Sequence, residues 1–184
     1  MGNTAEIVAE RYGVTREEQD TFAASSHTKA LAAIAEGRFT DELIPFNGLE
    51  VDEGPRPSTV EGLGKLRPAF STKGTVTAGN SSQMSDGGAA AVVMSREKAE
   101  SLGAEILGVF RGFVAVGVEP DEMGVGPRYA IPKLCEKTGV DIKDIGLWEI
   151  NEAFASQAVY CVRELGIDPT TVNVNGGAIA LGHP

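Results

Sequence analysis

The second half of the chain alternates short apolar runs with helix-length segments that close on glycine, and few architectures tolerate that order. The runs are Gly88–Met94, Glu105–Val118, Ile145–Ile150 and the stretch around Val172-Asn173-Val174. Between them lie "SREKAESLG", a segment through Leu134 and Cys135 to Gly139, and "EAFASQAVYCVRELG" ending at Gly166. Strands that alternate with helices predict an α/β layered sheet, because each helix covers the apolar face of the strand before it. Only about two βα units are complete, which is few for an independent domain of this class.

The first third reads differently. Ile7, Val8, Ala9 and Tyr12 lie at helical spacing before Gly13. "TREE" has capping-box spacing, with Thr15 placed to accept a first-turn N–H and Glu18 to reach back. A stripe of Phe22, Ala23, Ala30, Leu31 and Ile34 then runs to Gly37, a residue suited to a helix end. "DELIPF" predicts a short edge strand, since Pro45 cannot donate to a ladder. The acidic "EVDEG" reads as a solvated loop, and Ser58 with Glu61 repeats the capping spacing before a short helix to Leu66.

Composition excludes several classes. The net charge is −10 over 184 residues and no Lys/Arg cluster stands against it, so no nucleic-acid footprint is present. No apolar run reaches membrane length, and the first residues lack the basic and apolar regions of a secretion signal, so the expectation is a cytoplasmic protein. Two cysteines, Cys135 and Cys161, and two histidines supply neither a disulfide framework nor a multi-histidine metal site. Both cysteines fall in amphipathic helices and are expected to be buried packing. His27, among Ser25, Ser26 and Thr28, is expected on an exposed face, and Trp148 in the core.

Three stretches carry possible chemistry. In "NVNGGAIALGHP" the Gly176-Gly177 pair permits positive φ and close approach, and Gly182 gives His183 space. A loop histidine is more often solvated or structural than catalytic. In "WEINEAFASQ" a strand ends at Asn151 and feeds a helix, placing side chains at the sheet edge where α/β folds bind ligands; Asn151 could equally be a helix cap. "TAGNSSQMSDGG" is either a tight turn or a cradle of hydroxyls and free N–H groups, and it is no P-loop.

Together, "TAGNSSQMSDGGAAAVVMS", "GVEPDEMGVGP", "EINEAFASQ" and "VNVNGGAIALGHP", in this order, resemble the thiolase family. The opening "MGNTAEIVAERYGVTREEQDTFA" with "GRFTDELIPF" resembles its substrate-covering loop domain, and "GNSSQ" is closer to degradative 3-ketoacyl-CoA thiolases of fatty acid β-oxidation. The resemblance implies a layered βαβαβ sheet fold, incomplete here, with a mainly helical loop domain. It divides the chain into a loop domain at 1–75, the tail of a first core domain at 76–103, and the first part of a second core domain at 104–184.

The resemblance also implies an acyltransferase that cleaves a 3-ketoacyl-CoA to acetyl-CoA and a shortened acyl-CoA, or runs the reverse condensation. His183 matches a histidine that activates the nucleophile and helps bind the thioester oxygen. Asn151 matches an asparagine that holds a water in the same oxyanion hole. Ser82 matches a pantetheine-contacting serine; Met1, Met123, Ala153 and Phe154 match pocket-lining residues, and Arg56 a contact to the CoA nucleotide. CoA and its thioesters are substrates, no further cofactor or metal is implied, and the parent is expected to be a homodimer or homotetramer. Both family cysteines, the nucleophile and the acid/base, have no counterpart in the chain, and Met1 matches an internal methionine of the pattern. The expectation is a central fragment holding half of a catalytic site and inactive alone. The alternatives are a non-catalytic acyl-CoA-binding or assembly protein, and a ketoacyl synthase, against which Asn151 speaks.

Overall fold

The structure, a computed structural model, describes all residues from Met1 to Pro184. Seven α-helices carry it: α1 (Gly2–Arg11), α2 (Arg16–Ala35), α3 (Val60–Gly64), α4 (Arg96–Leu102), α5 (Gly126–Thr138), α6 (Ala155–Glu164) and α7 (Ala178–Leu181). Single 3₁₀ turns occur at Pro120–Val125, Ile142–Asp144 and Pro169–Thr171.

Local chemistry explains most helix ends. At α2, the Thr15 hydroxyl accepts from the Glu18 N–H while Glu18 reaches back to the Thr15 N–H, the reciprocal pair that satisfies two orphan donors. Ser95 caps α4 in the simpler way. Gly103 and Gly139 close α4 and α5 in the left-handed region, where a Cβ is penalised. The cap of α3 is Thr59, one residue beyond the expected Ser58, and Glu61 pairs instead with Lys65 at 2.7 Å.

Helix α6 is the centre of the core. Tyr160 and Cys161 join Val8, Val14 and Val125 in one apolar cluster. Ala155 joins Ala23, Leu63 and Ile179 in a second, and Val162 joins Ile150, Ile167 and Val172 in a third. One helix therefore holds α1, α2 and α7 in register with the 148–150 and 172–174 segments.

The buried stripe of α2 coincides with the apolar one only at Ala23 and Ala30. Gln19, Asp20, Ala23, Ser26, His27, Ala30 and Ala33 are buried, at heptad-like spacing, while Phe22, Leu31 and Ile34 stay half-buried. His27, expected on the surface, is 1% exposed. Its Nδ1 accepts the Arg56 N–H at 3.4 Å, and burial holds the imidazole below its usual pKa, with the Arg56 charge adding to the effect. The helix is covered on more than one side, so polar neighbours did not mark an exposed face.

The expected sheet ladders do not form. Pairing is confined to isolated bridges: Phe46 with Leu49, Pro68 with Thr77, Ser81 with Phe154, and Trp148 with Val172. "DELIPF" is not an edge strand; its end closes a tight Asn47-Gly48 turn in which both residues have positive φ. The 88–94 run is exposed rather than buried, since nothing in the chain lies against Val92 or Val93. Residues 111–118 do show the period of a strand: Gly112, Val114, Val116 and Val118 are half-buried, and the residues between them are exposed. With no neighbouring strand, the carbonyls of Phe113 and Ala115 accept from Lys137 and Lys133 of α5 instead. Trp148 is half-buried, not core, as is Cys135, whereas Cys161 is fully buried.

Candidate active site

The one parallel pairing sets the site. The Trp148 N–H donates to the Thr171 carbonyl at 3.0 Å, and the Asn173 N–H donates to the Trp148 carbonyl at 2.7 Å. There the ladder stops, because Asn173 turns to φ +45°. Its side-chain amide continues the pairing, Oδ1 accepting the Ile150 N–H and Nδ2 donating to the Ile150 carbonyl, each at 2.8 Å. Asn151 follows immediately, at the end of this pseudo-strand.

Asn151 does not cap α6. Phe154 occupies that position, without a side-chain bond. The Asn151 carbonyl instead accepts from Gln157 Nε2 at 2.8 Å. The side chain is thereby freed, and Nδ2 lies 3.3 Å from Nε2 of His183, 32 residues away. With Nδ2 donating, Nε2 is the acceptor and the ring proton sits on Nδ1; with the amide turned over, Oδ1 accepts from Nε2–H. Both side chains are exposed to solvent, so the pair presents polar hydrogens to whatever occupies the space beside it.

His183 is fixed from two directions. Its own N–H donates to the Gln83 carbonyl at 3.3 Å, and Gln83 Nε2 donates to the carbonyls of Ile179 and Ala180 at 3.1 and 2.9 Å. Gly182, at φ +100°, passes so close to Ser85 that a Cβ would overlap its hydroxyl. The 83–87 segment is therefore a rail along which the histidine runs.

The same segment meets the Asn151 loop. The Ser82 N–H donates to the Ala153 carbonyl at 3.0 Å, and the Ala155 N–H to the Asn80 carbonyl at 2.9 Å. Asn80 is buried and held in turn by Thr77, Thr75 and Asp20. Ser82, Ala153 and Phe154 are thus neighbours of the pair. Phe154 meets the Phe70 ring edge-on at 6.0 Å, and Phe70 covers Gly2, next to Met1.

Met1, Met123 and Arg56 are exposed, and none of them hydrogen-bonds to the pair. Each is nonetheless one or two residues from something that touches the site. Gly124, beside Met123, packs on Gln157 so tightly that a Cβ would not fit. Gly54, near Arg56, has the same relation to Gln83 and the Ala180 carbonyl.

Glu152, Asn173, Gln83 and Gln157 escaped the sequence reading. Glu152 alone left a signal: a carboxylate between Asn151 and an apolar helix, with no cation at helical spacing. Neither cysteine reaches the pair. Cys161 is buried against the Gly124 carbonyl, and burial pushes its thiol up to about 11. Cys135 lines a shallow depression with Gly139, Val140 and Ile142. The more enclosed cleft, about 440 Å³, lies between α2 and the turn at Pro169, and neither Asn151 nor His183 lines it.

The chain matches known proteins over its whole length. Residues 1–97 match the family model described as thiolase, N-terminal domain, and residues 104–184 the one described as thiolase, C-terminal domain. A peroxisomal 3-ketoacyl CoA thiolase 1 of Petunia hybrida is 55% identical over all of this chain and 43% of its own length. A 3-ketoacyl-CoA thiolase of Bacillus subtilis is 54% identical over all of the chain and 52% of its own. The chain thus spans about half the length of the curated relatives it matches. Among solved structures, the Bacillus anthracis acetyl-CoA acetyltransferase superposes with a TM-score of 0.93 at 47% identity, and the dimeric peroxisomal thiolase of Saccharomyces cerevisiae with 0.93 at 48%. Each comparison covers all of this chain and 49% of the other. No helix is long and apolar enough to cross a membrane. The backbone follows the α/β thiolase path even where ladders are missing, and the chain belongs to the thiolase family.

Proposed function

We propose that the protein is a thiolytic acyltransferase, and that these 184 residues carry the side of its site that binds the enolate oxygen. The observation that carries this is the 3.3 Å approach of Asn151 and His183, brought together from separate loops beside the Ser82 segment. In thiolysis a cysteine thiolate attacks the 3-keto carbon, the bond between C2 and C3 breaks, and its electron pair becomes the enolate of acetyl-CoA. Protonation at C2 releases acetyl-CoA, and CoA then takes the acyl group from the cysteine. Charge develops on the thioester oxygen, where fixed donors act most strongly. His183 and an Asn151-held water supply them, and His183 also favours the thiolate, because a free thiol near pKa ~8.5 is only partly ionised at neutral pH.

In this reading Ser82, Met123, Ala153, Phe154 and Met1 line the pantetheine and acyl path, and Arg56 meets the nucleotide. The nucleophile is neither Cys135 nor Cys161 and comes from a part of the protein outside these residues. The chemistry needs CoA and its thioesters as substrates and no further cofactor. The division at 1–75, 76–103 and 104–184, a dimeric or tetrameric assembly and a cytoplasmic site belong to the same reading. Relatives named as peroxisomal and as bacterial, and a neighbour described as dimeric, bear on the last two.

The test uses the complete polypeptide carrying this segment, with acetoacetyl-CoA and CoA. Loss of 3-ketoacyl absorbance with matching acetyl-CoA formation is expected, and His183→Ala should abolish most of it. Tight acyl-CoA binding without turnover in the wild type would replace the enzyme by a binding protein.

A further inference from the structure

We propose that Glu152 is a positioning residue that sets the separation of Asn151 and His183, a role resting on the thiolytic reading above. Its side chain is 1% exposed and makes no ion pair. Oε2 accepts from the Ser26 hydroxyl at 2.6 Å and the Ile179 N–H at 3.1 Å, and Oε1 accepts from Asn173 Nδ2 at 2.8 Å. A buried charge of this kind survives only when donors replace its water. Each donor belongs to a different support of the site. Ser26 is on α2 and also accepts the Gly177 N–H at 3.1 Å. Asn173 pins Ile150, the residue before Asn151. Ile179 lies in the first turn of α7, which ends one residue before Gly182 and two before His183.

One carboxylate therefore ties the Asn151 loop to the His183 helix. Gly177 passes so near it that a Cβ would overlap the carboxyl group. The bonds of the carboxylate converge on the pair: Asn173 and Ile179 belong to segments that lead to Asn151 and His183, and Ser26 also holds the Gly177 N–H ahead of α7.

Glutamine cannot substitute. Asn173 is locked with Nδ2 towards Glu152, because its Oδ1 is engaged by the Ile150 N–H. A glutamine NH₂ would face either that amide or the Ile179 N–H, donor against donor in both rotamers. The resulting shift of α7 is expected to misplace His183 by a fraction of an ångström or more.

The experiment compares Glu152→Gln, His183→Ala, the double variant and Ser26→Ala in the complete polypeptide. Glu152→Gln should lower kcat for 3-ketoacyl-CoA cleavage by about 10- to 100-fold, the scale of a misplaced catalytic group, with KM near the wild-type value. The double variant should be no slower than His183→Ala alone, because the aim of an absent side chain no longer matters. Should Glu152→Gln fail to fold, Ser26→Ala, which removes one donor and keeps the carboxylate, should show a smaller loss with the same non-additivity. Losses that multiply, or equal falls in kcat and affinity, overturn the positioning role while the thiolytic reading stands. Full activity in His183→Ala would instead remove that reading, and Glu152 with it.

Discussion

Asn151 illustrates how a residue is freed for chemistry. Its backbone is satisfied by Gln157, the cap position is filled by Phe154, and its amide is left to meet His183. If that amide holds the water that binds the enolate oxygen, the two half-reactions should respond differently to its loss. Carbon–carbon cleavage passes through the enolate, whereas exchange of the acyl group between cysteine and CoA does not. Removing an oxyanion donor costs on the order of 10²–10³ in rate. Asn151→Ala in the complete polypeptide should therefore slow cleavage by about that factor, and acyl-CoA/CoA exchange clearly less. His183→Ala should damage both, because it also removes the base beside the thiol. Equal losses in the two assays for Asn151→Ala would return that residue to a purely structural role.

At the level of elements, helix ends were legible and buried faces were not. Capping chemistry is local: Thr15 and Glu18, Ser95, Gly103 and Gly139 sit where hydrogen-bond geometry alone demands them. Thr15→Ala should accordingly cost about 1 kcal/mol, read as a lower denaturation midpoint at unchanged slope. The buried face of α2 is a tertiary property, because Asp20, Ser26 and His27 are buried by partners far away in sequence: Asn80, Glu152 and the Arg56 backbone. No periodicity of apolar residues reports that. The turn at Pro120–Val125 is another such case, since Glu122 accepts from both Arg11 and Tyr12 of the α1 end, with Tyr12 stacked on Tyr160 at 4.0 Å. Those bonds, the Tyr12 hydroxyl first, hold the Glu122 pKa below its ordinary 4.5. A carboxyl group with a lowered folded pKa stabilises fully above its unfolded value, and the contribution is lost as pH falls through the folded one. The difference in melting temperature between wild type and Glu122→Gln should thus be largest near neutrality and shrink in acid. A difference that stays constant with pH would mean that the clamp does not depend on the charge.

For the molecule as a whole, the order of segments carried the family, while the sheet was over-read. A strand is defined by its neighbour, and the runs at 88–94 and 105–118 have the composition of strands but no partner among these residues. Leu107 is 92% exposed, Val92 86%, Val93 85% and Phe110 78%. Such a surface, next to unpaired N–H and C=O groups, favours edge-to-edge association. The 184-residue chain expressed by itself is therefore expected to run as oligomers or aggregates in light scattering. A monodisperse monomer with one sharp melt would contradict that. It should also show no turnover of acetoacetyl-CoA, for a reason independent of its assembly. Thiolysis needs an ionisable thiol beside His183, and the chain offers two that are not there. Burial raises Cys161 to about 11, and it faces the Gly124 carbonyl; Cys135 lies on α5 among Gly139, Val140 and Ile142. Turnover that persists after every trace of host thiolase is removed, and that disappears in Cys135→Ser, would mean that α5 can reach the pair and that the site is assembled differently from the arrangement described above.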